Sequence, residues 1–301
     1  MVLVALAVIA RTAGAQSEGS VLAAVPASTR ATALGGAGVA LVGDAASLFA
    51  NPAGLATVRR VALEAGYERY IGGAALSVAA MAIRFGHFNW GLGAQTLDYG
   101  SEPEIIPDSS TGGRRGTPTG ALFSAVDVLA ATSVVYRHGL LAFGASAKYA
   151  RQAIGGAASD TWAGDVGMAL AVFDIMAFGM AVRNLGGDFG TGARLPRRAA
   201  VGLTLNYTDP QGTFRLLTTG EVQWGEGTTW ILGAEGGIVT GGLAGVGLVG
   251  RVGLAKRPAD VTASPVSFGA GVVVGRLQVD YAYRGFESLG TTHRVGLRWT
   301  P

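Results

Sequence analysis

The sequence predicts an all-β protein, a transmembrane antiparallel β-barrel of about fourteen strands preceded by an N-terminal plug or hatch segment. Three observations predict it: apolar character spread thinly over the whole length, side chains that alternate with period two, and aromatic residues gathered near the ends of the alternating segments. Hydrophobic residues make up 49% of the 301 and charged ones only 14%, with 49 glycines and a mean hydropathy of +0.38. A soluble domain carries about 25% charged residues. A transmembrane helix needs roughly 18–20 unbroken apolar residues. The best uncharged stretches, 71–83 and 236–250, are too short and too rich in glycine.

The N-terminus is expected to be an export leader over residues 1–15. Val2 to Ile9 forms a short apolar run, and Ala13-Gly14-Ala15 fits a small-residue cleavage site that leaves Gln16 first. A buried first helix is the alternative. Residues 16–60 do not alternate and are expected to form the plug, before a barrel over 61–301. Asp44 suits an N-cap for a helical turn over 45–50, and Asn51-Pro52 stops it, because proline restricts its predecessor and carries no N–H. A periplasmic tail is the other account of this segment.

Strands are expected at 61–70, 74–86, 88–98, 124–137, 140–152, 158–172, 175–184, 197–207, 213–224, 228–238, 242–255, 265–274, 276–284 and 289–299. The alternation is plain in several of them. Leu141, Phe143, Ala145 and Tyr149 oppose Gly144, Ser146 and Lys148. Phe178, Met180 and Val182 oppose Gly179 and Arg183, and Phe214, Leu216, Val222 and Trp224 oppose Arg215, Thr219, Glu221 and Gln223. Val246, Leu248, Val252 and Leu254 oppose Arg251; Leu277, Val279, Tyr281 and Tyr283 oppose Gln278, Asp280 and Arg284; Val295, Leu297 and Trp299 oppose Arg294 and Arg298. A helix would scatter residues i and i+2 over different sides. These segments run to about 9–14 residues, longer than sandwich strands and long enough to cross hydrocarbon at a tilt.

Short turns are expected at Gly86-His87, 137–139, Phe173-Asp174, 208–212, Thr240-Gly241 and Gly275-Arg276. Longer connectors are expected at 99–122, 151–159, 185–195, 256–264 and 285–289. An even strand number with short periplasmic turns and longer outer loops is the bacterial pattern, which puts both termini in the periplasm. Tyr67, Phe88, Trp90, Tyr149, Trp162, Tyr207, Trp224, Trp230, Tyr283 and Trp299 lie near strand ends, where aromatic girdles meet the membrane interfaces.

A lipid-facing Lys or Arg near the midplane costs about 2–4 kcal/mol. Arg84, Lys148, Asp165, Arg183, Arg215, Glu221, Glu235, Arg251, Asp280, Arg294 and Arg298 are therefore expected in the lumen. Their mixed sign favours a pairing network that fills the bore, with a polar conduit as the alternative.

Several motifs lead nowhere. Gly245-Val-Gly-Leu-Val-Gly250 spells a dinucleotide fingerprint, but Arg251 to Leu254 behind it are strand-like and no acid stands about 20 residues on. His87, His138 and His293 are far apart and lack metal-ligand spacing. Glu102, Glu104 and Asp108 are expected as a solvated cluster in the longest loop. The formal charge is only +3, and the basic residues are scattered, unlike a nucleic-acid footprint. Neither an enzyme nor a cofactor is expected, and the expected surroundings are outer-membrane lipid.

Arg30-Ala-Thr-Ala-Leu-Gly35-Gly36-Ala-Gly38, Asp44 and Asn51-Pro52-Ala-Gly54-Leu-Ala56 resemble the N-terminal signature of the PorV/PorQ family of outer-membrane proteins. That family sits within the wider FadL-like group of long-chain fatty-acid transporters. Gly144-Ala-Ser-Ala-Lys-Tyr149, Arg183-Asn-Leu-Gly-Gly187, Asp280-Tyr-Ala-Tyr283 and Leu289-Gly-Thr-Thr-His-Arg294 extend the resemblance over most of the chain. It implies a fourteen-stranded barrel with an N-terminal hatch. For PorV-like members it further implies work in type IX secretion, with a translocon and exported cargo as partners. FadL-like members instead pass hydrophobic small molecules through a lumenal pocket. The charged lumen set departs from the FadL pattern, and Thr300-Pro301 departs from the terminal aromatic of barrel-assembly signals.

Overall fold

The computed structural model describes residues 19–112, 114–173, 175–190, 192–240, 245–258 and 263–301. The expected leader lies outside the described residues, as do Gly113, Asp174, Thr191, Gly241 and 259–262 of the expected connectors and 242–244 of the strand expected at 242–255. Fourteen antiparallel strands close into one barrel, each bonded to its neighbours in sequence and the last to the first. They are β1 Val61–Arg69, β2 Ala75–Phe85, β3 Phe88–Pro107, β4 Gly116–His138, β5 Leu141–Ile154, β6 Ala157–Val172 and β7 Met176–Gly186. The second half comprises β8 Arg198–Thr208, β9 Phe214–Trp224, β10 Thr228–Thr240, β11 Val246–Lys256, β12 Val266–Val274, β13 Leu277–Phe286 and β14 Gly290–Trp299. Closure runs from Leu63↔Trp299 to Arg69↔His293, so no edge is left open to aggregate or to sit unsatisfied in lipid. Among the described residues no helix is long and apolar enough to cross a membrane.

Period-two burial separates the two faces of the wall. Outward stand Leu92, Val134, Phe143, Leu232, Leu248, Val279 and Val295, all exposed, as a lipid-facing belt requires. The outward-pointing charges of the described wall are Arg69, Asp98, Arg151, Asp160 and Lys256, and each lies toward the same end of the barrel. That is the loop end, where 187–197 joins β7 to β8. The opposite, turn end carries 86–87, 139–140 and 275–276, the start of β1 and the finish of β14.

Two connectors differ from expectation. Residues 99–107 and 116–122 are not loop: β3 and β4 continue their ladder past two register shifts, pairing Ser101↔Ser124 and Ile106↔Thr117, and so reach 20 and 23 residues. Gly100 and Gly120 take positive φ there, which lets the ladder bend and resume. Residues 99–107 and 116–124 are exposed throughout, so this hairpin projects beyond the barrel, and Glu102 and Glu104 belong to a strand. The connector expected at 151–159 shrinks to Gly155-Gly156, because β5 and β6 pair as far as Ile154↔Ala157. Gly155 supplies the positive φ that a tight hairpin turn demands.

Residues 19–58 lie inside the barrel. Gly19 N–H donates to Arg194 O (2.8 Å) at the loop end, whereas Asn89 Nδ2 donates to Val58 O (3.1 Å) and Arg84 N–H to Arg60 O (2.8 Å) at the turn end. The segment thus threads the whole bore. It holds one short helix, α1 Thr29–Ala33, and 3-10 turns at Val21–Ala23, Ala45–Phe49 and Pro52–Thr57. Asp44 precedes the second turn but does not cap it with its side chain; its carboxylate is engaged by arginines instead. Asn51 does more than stop that turn. Its side chain accepts from Ala53 N–H and caps the next one, with Pro52 in the first position.

The glycine count has its physical reason at this contact. A Cβ on Gly144 would stand 2.6 Å from Ala53 N, and one on Gly93 would stand 2.9 Å from the Phe49 ring. On Gly179 and Gly253 it would collide with the backbone at Val39 and Gly35. Inward-facing glycines on β3, β5, β7 and β11 therefore let the inner segment approach the wall backbone to backbone. Leu22, Leu34, Leu48 and Leu55 are fully buried in the packing that results, each worth about 1.5–3 kcal/mol over exposure.

Candidate functional site: an ion-paired inner segment and the cavity above it

Arg30, on α1, is buried and grips Glu235 of β10 through two bonds, Nε to Oε2 at 2.8 Å and Nη2 to Oε1 at 2.9 Å. Its Nη1 reaches Asp44 Oδ2 at 3.2 Å. Arg251 of β11 donates to Glu235 Oε2 (2.7 Å) and to Asp280 Oδ1 (2.6 Å). Arg298 closes the circuit on Asp44 and donates to Gln278 Oε1 (2.6 Å). Arg30, Arg251 and Arg298 thus meet Glu235, Asp44 and Asp280 in alternation. Such a set tolerates burial because each charge has an opposite neighbour and fixed hydrogen bonds.

Three further clusters tie the wall together or to the segment. Arg294 donates to Glu68 Oε2 (2.6 Å) and to the carbonyls of Pro26 and Ala27 (2.6 and 3.0 Å). Lys148 pairs with Asp165 at 2.6 Å, and Asp165 accepts from the N–H of Asn184, which takes positive φ at a bulge between β6 and β7. Glu221 accepts from Gly38 and Val39 N–H at 2.7 and 2.8 Å. Arg183 lies on the inner wall beside Glu221, while Arg84 and Arg215 stand inside at the turn end and donate to the neutral acceptors Gly86 O and Asn206 Oδ1.

Among the signature residues, Gly35 and Gly36 take positive φ, and Ser267 and Arg257 bind the Gly35 backbone. Asn51 Nδ2 donates both to Val39 O (2.8 Å) within the segment and to Met168 O (3.1 Å) on β6. Gly54 stands where a Cβ would be 3.0 Å from Leu41 O and Ser47. Tyr67, Trp162 and Trp230 point outward near the loop end, with Tyr149, Tyr283 and Trp224 at the same level. Trp90, Tyr207 and Trp299, with Phe88, form the band at the turn end.

Sequence reasoning missed Glu64, Glu68 and Arg257. The first two share the parity that turns Leu63 and Tyr67 outward, which is a signal that could have found them. Arg257 lies just past the end of β11 and is tied to the inner segment only by the fold. Its guanidinium is pushed down to about 10, first by burial and then by Arg284.

Above the segment, toward the loop end, lies a cavity of about 350 Å³. Val25, Leu41, Phe49, Leu129, Ile231 and Phe286 give it apolar walls, and Gln95, Arg183, Arg257 and Arg284 bring polar groups to its margin. Its size falls in the range of small-molecule pockets, about 300–1,000 Å³, but its lining is about as polar as it is apolar, with Asp44, Lys148, Arg198 and Glu221 also on its walls. The inner segment forms its floor.

No family model matches the sequence, and no curated protein matches it. Solved structures do match. The Pseudomonas putida toluene transporter TodX superposes over 94% of this chain and 97% of its own, with 13% identity and a TM-score of 0.57. The chain shares the fold of this transporter. The Ralstonia pickettii toluene transporter TbuX has 13% identity over 90% of this chain and 96% of its own, with a TM-score of 0.58. A Pseudomonas aeruginosa FadL homologue has 12% identity over 90% and 98%, with a TM-score of 0.52.

Proposed function

We propose that this protein is an outer-membrane channel for small hydrophobic molecules, with residues 19–58 as its hatch. The cavity of about 350 Å³, floored by the inner segment and with an apolar wall of Val25, Leu41, Phe49, Leu129, Ile231 and Phe286 beside its polar groups, carries the proposal. The toluene transporters TodX and TbuX, which share the fold, support it. In this account the turn end faces the periplasm, the leader is removed on export, and the chain has no enzymatic role. Purified protein in liposomes should take up labelled fatty acid or toluene faster than empty vesicles do. Ile231→Trp, which fills the cavity, should slow that uptake roughly tenfold, equivalent to about 1.4 kcal/mol. Equal rates for protein-bearing and empty vesicles would remove the proposal.

One observation favours the second reading, a PorV/PorQ-type role in protein export. The projecting β3–β4 hairpin exposes Ile105, Ile106, Leu122 and Phe123 at the loop end, as a surface that handles translocon or cargo would. Normal surface display of exported proteins in a deletion strain would count against that role.

A further inference from the structure

The turn end holds a second set of cavities, below the inner segment and separated from the one above it by residues such as Leu41, which lines both sides. One measures about 940 Å³ and the other about 520 Å³, and they share Val42, Thr57, Arg59 and Ala171 along their walls. Arg59, Arg60, Arg215 and Arg276 line the first, and Arg59, Arg84 and Arg137 line the second. No aspartate or glutamate side chain lines either among the described residues.

Arg30 also reaches the first cavity, but Glu235 and Asp44 already neutralise it. None of the other six forms an ion pair among the described residues, although Glu235 and Asp44 act on Arg215 through space, as do Arg30 and Arg298 with the opposite sign. Arg84 and Arg215 donate only to Gly86 O and Asn206 Oδ1, which carry no charge. Arg59, Arg60, Arg137 and Arg276 have no acidic partner among the described residues. Asp209, in the adjoining turn, spends its Oδ1 on Phe214 N–H. The loop end is not basic in this way, since Glu102, Glu104, Asp160 and Glu226 stand there among its arginines.

Like charges gathered in a concave mouth with low-dielectric walls focus their field outward and raise the local concentration of counter-ions. Guanidinium groups are also planar forks that fit phosphate oxygens two at a time. We infer that the turn-end vestibule is a binding site for a phosphate-bearing anion of at least two charges. The same chemistry has two sources, a soluble phosphorylated molecule or the headgroup of a lipid in the adjoining leaflet. The site is independent of hydrophobic uptake through the upper cavity.

The test uses the full chain in neutral detergent, titrated calorimetrically with pyrophosphate and, separately, with dihexanoyl phosphatidic acid. At low salt one or both should bind saturably, and added sodium chloride should weaken binding. The pair Arg215→Gln and Arg276→Gln should weaken it roughly tenfold, while the loop-end pair Arg114→Gln and Arg151→Gln leaves it unchanged. Binding of pyrophosphate alone assigns a soluble ligand, and binding of the lipid alone assigns a headgroup. Absence of saturable binding by either probe, or equal losses in the two variant pairs, would overturn the inference. Arg215→Lys with Arg276→Lys, which keeps the charge, should recover most of the affinity and so separates a lost site from a damaged fold.

Discussion

Glu235 stands between two guanidiniums, Arg30 of the inner segment and Arg251 of the adjacent strand, and all three are buried. Its removal leaves Arg30 with Asp44 alone and Arg251 with Asp280 alone, each buried with half its former counter-charge. Breaking a buried pair on one side costs about 3–5 kcal/mol, far more than the net worth of the pair itself. Glu235→Ala should therefore loosen the inner segment while the barrel, held by its own ladder, remains closed. The check is limited proteolysis combined with gel mobility of the unheated protein: cleavage within 19–58 should appear while the folded-barrel band persists. Asn51 acts at the same scale through neutral groups, capping one 3-10 turn and bonding β6, so that a single amide fixes both the shape and the seat of the segment.

At the scale of elements, the wall and the inner segment are shaped for each other by omission. β7 carries Gly179 where Val39 O comes in, and β11 carries Gly253 where Gly35 N comes in. A side chain at either place would press on backbone, which cannot swing aside as a rotamer can. Gly179→Val should displace the segment around Val39 and break the nearby bonds from Gly38 and Val39 to Glu221. The expected loss is about 1–3 kcal/mol, as overpacking usually costs. Ion conductance across planar bilayers should rise at the same time, because the bore would no longer be filled. Gly250, whose added Cβ meets nothing within 4 Å, is the control; Gly250→Val should leave conductance as it was.

For the whole molecule the decisive feature is the direction of threading. The barrel begins and ends at the turn end, yet Gly19 is bonded to Arg194 at the loop end. The first strand starts and the last strand finishes at one end, whereas the described start of the inner segment lies at the other. The chain crosses the membrane thickness once within the bore before it builds the wall. With no cysteine in the sequence, this is directly testable. Val21→Cys, half-exposed beside the upper cavity, should react with an impermeant maleimide added on the loop side. Arg60→Cys should react only from the turn side. Labelling of both from one side would contradict the threading.

Much of the barrel was legible in the sequence because a strand that separates lipid from lumen writes its two faces into adjacent residues. Leu277 to Arg284 needs no partner to show which residues face which way. The pattern fails where that separation ends. In the projecting hairpin both faces meet water, so Ile105 and Ile106 sit side by side without alternation, and 99–122 read as a loop. The inner segment has no membrane to sort its residues, so its boundaries could be read but its caps and path could not. Parity selects a face and stays silent about partners: Arg30 and Glu235 lie 205 positions apart. By itself, then, the sequence determined the barrel, its strand number and its inner and outer walls, since those come from local periodicity. Only the tertiary structure decided which charges cancel, how the inner segment threads the bore, and where uncancelled arginines converge. Those depend on contacts between distant positions that become neighbours when β14 closes on β1.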